Sequence, residues 1–176
     1  MDVKVKIDLT EKEYMRFGFY CQRKFMIWVP LTVAVICFLA FILIDIALSK
    51  KSDFVVLCVL AVIAGVSTHF IGSRIAFLRI RSVWKSSAPL MGLADTTFSD
   101  GGIYQVSDVG TLNLSYDKFF KVCETQMAFY AYVSSTQAVI VPKRCFESAE
   151  DVKTVRELFI KNVDKKKLRL RDEKGV

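Results

Sequence analysis

His69 is the only histidine in the chain. An imidazole can shuttle protons, bind a metal or serve a nucleophile, but each role needs a partner group. The only carboxylate in the surrounding apolar stretches is Asp45. If those stretches are paired helices rising about 1.5 Å per residue, Asp45 lies near the far end and His69 toward the near third, so the two are not expected to meet. The plainer expectation for His69 is a neutral ring bonded to a neighbouring helix or to Ser73, one turn on. The cysteines, Cys21, Cys37, Cys58, Cys123 and Cys145, are scattered and none is spaced as a metal pair. They read as reduced thiols packing as small hydrophobes. No phosphate loop, dinucleotide glycine pattern or histidine-pair metal motif is present, and Gly101-Gly102 reads as a turn. The residues therefore point to no enzyme, cofactor or metal.

Two apolar runs dominate the elements that must position these groups. Met26–Leu48 and Phe54–Leu78 each have the roughly 20 residues needed to cross about 30 Å of hydrocarbon as an α-helix. Residues 49–53 between them allow only a tight helical hairpin. The 53% hydrophobic content and positive mean hydropathy come mainly from this hairpin. A signal peptide is the rival for the first run. The acidic residues before it, its length and the lack of a small-residue cleavage site argue against that. Lys and Arg placement sets orientation. Six precede Met26, two (Lys50 and Lys51) lie in the loop, and seventeen follow from Arg74 onward. Both termini are expected in the cytoplasm and the loop outside. The net charge of +7 suits a negatively charged leaflet. Nucleic acid is not an expected partner, because no recognised motif accompanies the charge.

The parts outside the hairpin read as one small β-rich domain. Val3, Val5, Ile7 and Leu9 alternate with polar residues, which predicts a half-buried strand. Thr10 and Glu13 form a capping-box pattern that starts a helix running into the first span. After the second span a juxtamembrane helix is expected to end at Pro89. Short strands then follow at 96–99, 103–106, 112–116, 120–123, 128–133 and 138–141, with a hairpin turn at Asp100-Gly101-Gly102. Ser148 and Asp151 cap a last helix whose apolar face is Val152, Val155 and Phe159. From Lys161 onward the basic tail is expected to fray. The predicted divisions are 1–25, a first span 26–48, a loop 49–53, a second span 54–78, a juxtamembrane helix 79–93, a β-domain 94–162 and a tail 163–176. Seven strands and a closing helix make the element list of a pleckstrin-homology-like domain. The fold class is thus membrane α+β, a transmembrane hairpin carrying a small cytoplasmic β-domain.

The chain resembles the YcxB-like family of small bacterial membrane proteins. The stretch Leu114-Ser115-Tyr116-Asp117-Lys118-Phe119-Phe120-Lys121-Val122-Cys123-Glu124-Thr125 carries the likeness. So does Ala138-Val139-Ile140-Val141-Pro142-Lys143-Arg144-Cys145-Phe146, and its Ile-Val-Pro-Lys-Arg-x-Phe ending is the most specific part. The family often has Trp where this chain has Tyr116. The resemblance implies a cytoplasmic domain of pleckstrin-homology-like shape on a two-helix anchor, and no particular activity.

Three further features invite a functional reading. Ala64, Thr68, Gly72 and Ala76 recur every fourth residue, with Ala61 and Gly65 beside them. Small residues at this spacing let helix backbones approach closely. Packing within the hairpin is the first expectation and a homodimer the second. Lys143 and Arg144 project from a turn after a strand and are candidates for acidic headgroups, or simply a solvated turn. Lys165, Lys166 and Lys167 are candidates for nonspecific contact with the leaflet. Three roles fit these features. The first is a module that binds a protein or lipid partner. The others are an immunity protein against a toxin and a small transporter of oligomerised hairpins. The topology is directly testable. With Ser52→Cys in a background free of native thiols, an impermeant maleimide should label intact cells from outside; labelling only after permeabilisation would overturn it.

Overall fold

The computed structural model describes residues 2–47, 54–91 and 93–170, with the side chains of 88–91 left aside. It is an α+β chain with two long apolar helices and two four-stranded sheets. The predicted loop at 49–53, with Lys50, Lys51 and Ser52, lies outside the described residues.

By contacts the chain divides into two compact units: Met1–Phe17 with Val83–Val176, and Gly18–Ser82. In the first unit, β1 (Val3–Asp8) buries Val3, Val5 and Ile7 and exposes Lys4, Lys6 and Asp8, as period-two alternation requires. It pairs antiparallel with β2 (Leu93–Ser99), Val3 opposite Phe98 and Asp8 opposite Leu93. β3 (Gly102–Ser107) and β4 (Gly110–Leu114) complete this sheet as an antiparallel meander. Gly102 is a true glycine position. Its φ of 147° suits a residue without Cβ, and a Cβ there would collide with the Leu114 carbonyl oxygen.

The second sheet has the order β7-β6-β5-β8. β5 (Lys121–Glu124), β6 (Ala128–Tyr132) and β7 (Ala138–Pro142) form a second antiparallel meander. β6 is buried at every position. Phe129 and Ala131 face the main core. The rings of Tyr130 and Tyr132 lie 5.2 and 5.7 Å from Phe17, itself buried, on the first turns of α1 (Glu11–Ala47).

Three expectations are corrected here. Tyr116 is not in a strand but starts a 3₁₀ turn, Tyr116–Lys118. Its buried hydroxyl donates to the Ser99 carbonyl at 2.8 Å, and burial with the nearby Asp100 charge pushes its pKa up to about 12. The helix after the second apolar run does not stop at Pro89: α2 (Phe54–Met91) runs two residues further, the ordinary uncertainty of a helix end. The residues after Lys161 do not fray at once. Asp164 caps a 3₁₀ turn, and β8 (Leu168–Arg169) pairs parallel with β5, Leu168 opposite Val122.

α3 (Ala149–Asn162) begins with the Ser148–Asp151 capping box that its sequence predicts. It buries Val155, Leu158 and Phe159. The Phe159 ring lies 5.8–6.4 Å from Phe98, Tyr116, Phe119 and Phe129, so one side chain joins residues of both sheets. Aromatic contacts of this kind add to the area they bury. Phe159→Ala should cost about 3–5 kcal/mol by leaving a cavity at this junction. Urea unfolding followed by near-ultraviolet circular dichroism would measure it, and a loss under about 1 kcal/mol would deny Phe159 that role.

Candidate functional site

In the unit Gly18–Ser82 the two helices run antiparallel against each other. A Cβ at Gly18 would meet the Ile80 side chain, and one at Gly65 would sit 3.1 Å from the Ala34 Cβ. Phe38 and Phe54 contact edge to face at 5.8 Å. Ala61, Gly65 and Ala76 are buried, and Ala64 and Thr68 partly so. Gly72 differs: it is exposed, with nothing within 4 Å of a built Cβ. The stripe of small residues is therefore split between a packed part and an open one.

His69 sits where α1 has a backbone defect. Pro30 lies inside α1 and has no N–H, so the carbonyl four residues earlier, that of Met26, loses its helical donor. His69 Nδ1 lies 3.1 Å from that Met26 oxygen. A carbonyl only accepts, so Nδ1 carries the proton in this bond. Thr68 and Ser73 donate their hydroxyls to the carbonyls of Ala64 and His69, at 2.8 and 2.7 Å. Ser73 thus bonds the His69 backbone and not its ring. Met26 precedes Asp45 by nineteen residues, about 28 Å along a helix, which separates His69 from that carboxylate. The sequence signal for the His69 bond was Pro30 itself, four residues after the carbonyl it frees.

Two clefts lie between the helices, and both are lined by Met26, Pro30 and His69. The smaller, about 160 Å³, adds the polar Gln22, Thr68 and Ser73. The larger, about 510 Å³, is otherwise apolar.

In the unit formed by Met1–Phe17 and Val83–Val176, the turn after β7 does not leave its cations free. Lys143 Nζ lies 2.6 Å from Glu124 Oε1 and 5.0 Å over the Phe129 ring. The Glu124 side chain is 6% exposed, and Arg156 Nε from α3 lies 3.3 Å from its other oxygen. Arg144 donates Nε to Glu13 Oε1 at 2.7 Å and Nη2 to Glu13 Oε2 at 3.0 Å. It also donates Nη2 to the Asp8 carbonyl. Such a planar, bidentate pair is the geometry that guanidinium favours. Glu13 meanwhile accepts from the Thr10 backbone N–H at 3.0 Å and from its hydroxyl at 2.8 Å. Both cations proposed for acidic headgroups thus have internal partners. No local sequence signal joins Arg144 to Glu13, 131 positions away.

Lys167 donates to the Asp117 carbonyl at 3.1 Å, while Lys165 and Lys166 are exposed. Among the described residues, no three His, Cys, Asp or Glu side chains could together hold a metal ion.

Burial pushes the Glu13 carboxyl up, but the bonds from Arg144 and Thr10 and the Arg144 charge outweigh it and hold Glu13 below its ordinary 4.5. The Glu13 bond holds Arg144 above its ordinary value against some desolvation. A depressed carboxylate stabilises the fold above its unfolded pKa, and that stability is lost as pH falls through the folded value. Wild-type stability should therefore drop more steeply below pH 4.5 than that of Glu13→Gln. A double-mutant cycle with Arg144→Ala should give a coupling of about 1 kcal/mol, since the pair is partly exposed. Parallel acid limbs in urea titrations would rule the pair out.

Residues 98–159 match the family described as YcxB-like protein. A relative from Bacillus subtilis (strain 168), named "Uncharacterized protein YcxB", is 25% identical over 97 residues, 55% of this chain. The match covers 52% of that relative, so the chain spans about half its length. No solved structure matches the chain. The family match covers β3 to β7 and most of α3, so it includes the Glu124–Lys143–Arg156 cluster and the Phe159 junction. The chain thus carries a YcxB-like domain at residues 98–159.

Proposed function

We propose that this is a two-span protein of the bacterial inner membrane. Both its termini are cytoplasmic, and its β-domain, of pleckstrin-homology-like shape, serves to bind a protein or lipid partner rather than to catalyse. One observation carries the membrane reading. α1 and α2 are long and apolar enough to cross a bilayer, and the most apolar window of α1 is not buried at all. Ile27, Val35, Leu39 and Leu43 on α1, with Val55, Ile63, Phe70 and Leu78 on α2, are each half-exposed or more. A soluble protein rarely leaves so much contiguous apolar surface in water. Lipid removes the cost of that exposure, and the helices satisfy their own backbone groups.

Cation placement supports the orientation. Arg23 and Lys24 flank one run, and Arg74, Arg79, Arg81 and Lys85 flank the other, on the side that carries the β-domain in sequence. Two successive antiparallel meanders followed by a helix that buries Phe159 support the pleckstrin-homology-like shape. Tyr104, Val106 and Leu112 on β3 and β4 are exposed and offer apolar surface to a partner.

Alkaline carbonate should leave the protein in the membrane pellet. Protease added to inverted membrane vesicles should degrade the β-domain and spare a hairpin fragment, whereas right-side-out vesicles should protect the domain. Extraction by carbonate, or the opposite protection pattern, would contradict the reading.

A further inference from the structure

The hairpin spends only half of the polar capacity around His69. With Nδ1 donating to the Met26 carbonyl, the neutral ring is left with an acceptor at Nε2. No described residue donates to it. The Gln22 amide, which lines the smaller cleft with His69, has no hydrogen-bond partner among the described residues. The hydroxyls of Thr68 and Ser73 are already donated to backbone carbonyls. One acceptor and one amide donor therefore share a cleft of about 160 Å³. The adjoining cleft of about 510 Å³ is walled by Ile27, Leu31, Ala34, Val62, Val66 and Phe70. Neither cleft is lined by a charged residue, so nothing there would neutralise a phosphate. The matching ligand is uncharged. It has a hydroxyl to donate, a carbonyl to accept and an apolar chain.

We propose that these clefts bind a diacylglycerol-type lipid. Its free hydroxyl donates to His69 Nε2, an ester carbonyl accepts from the Gln22 amide, and an acyl chain lies in the larger cleft. The proposal rests on the membrane reading above. Depth supports it: Gln22 precedes Lys24 by two residues and Met26, which holds His69, follows it by two, each about 3 Å along the helix, which places the polar pair at the headgroup boundary, where glycerol esters lie. Gly72 opens the smaller cleft, and its position has space for a side chain.

The full chain, labelled with ¹⁵N-histidine, would be placed in nanodiscs of phosphatidylglycerol and phosphatidylethanolamine and titrated with 1,2-dioleoylglycerol. Because His69 is the only histidine, its two ring nitrogens report the site directly in an untagged chain. The Nε2 resonance should move saturably while Nδ1 stays in place. Gln22→Ala should weaken the apparent affinity about fivefold, the effect of one hydrogen bond. Gly72→Leu, which fills the smaller cleft, should weaken it about tenfold. Trioleoylglycerol, which lacks the hydroxyl, should leave Nε2 unmoved. An unmoved Nε2 in well-incorporated protein would overturn the proposal while leaving the membrane reading intact. So would wild-type affinity in both variants, a shift with trioleoylglycerol, or a shift with a quinol but not with diacylglycerol. A chain that stays out of the nanodiscs and folds in plain buffer would sink both.

Discussion

The fold turns on β6, a strand with no face for water. Phe129 and Ala131 enter the core between the two sheets, and Tyr130 and Tyr132 need a cover on the other side. Phe17 supplies it. The side chain that seals the middle of the second sheet therefore lies in the first seventeen residues, before the apolar hairpin begins. β1 adds a strand to the first sheet from the same segment. Arg144 then ties the two pieces together, through Glu13 and the Asp8 carbonyl. Ends of the chain far apart in sequence make one compact unit. This is costly in loop closure, but the cost grows slowly with length. A tight antiparallel pair of helices returns the chain close to where it left.

The half-buried charges serve the same closure. Glu124 on β5 is held between Lys143, after β7, and Arg156, on α3. Removing one member of this half-buried cluster leaves the others short of a partner. The cluster thus disfavours any arrangement in which α3 lifts from the second sheet. It also explains a turn that looks from sequence like a ligand-facing cationic loop. In Pro142-Lys143-Arg144 the two cations pair with Glu124 and Glu13, carboxylates that the rest of the chain supplies.

Periodicity and capping made much of this legible in the sequence. The alternation of Val3, Val5 and Ile7, the lengths of the apolar runs, the Asp100-Gly101-Gly102 turn and the Ser148 cap all have local physical causes, and the structure has each of them. What local signals missed was set by distant partners. β8 has only two residues and sits in a basic tail, so it carries no alternation to read. Tyr116 continues the rhythm of Leu112 and Leu114, but its hydroxyl reaches the Ser99 carbonyl and the chain winds into a 3₁₀ turn. His69 was visible as the chain's single histidine, set in an apolar run. Its partner was not, although Pro30 marks the Met26 carbonyl that needed a donor.

Completion of the β-domain by residues before the hairpin is the contact on which this fold depends. Its most direct test is a shortened chain in which a flexible linker replaces Gly18–Ser82, joining residues 1–17 to 83–176, compared with residues 83–176 alone. Thermal unfolding of each would be followed by circular dichroism in detergent-free buffer. The joined chain should unfold in one cooperative transition, and residues 83–176 alone should show none. A cooperative transition at the same midpoint in residues 83–176 alone would contradict the account.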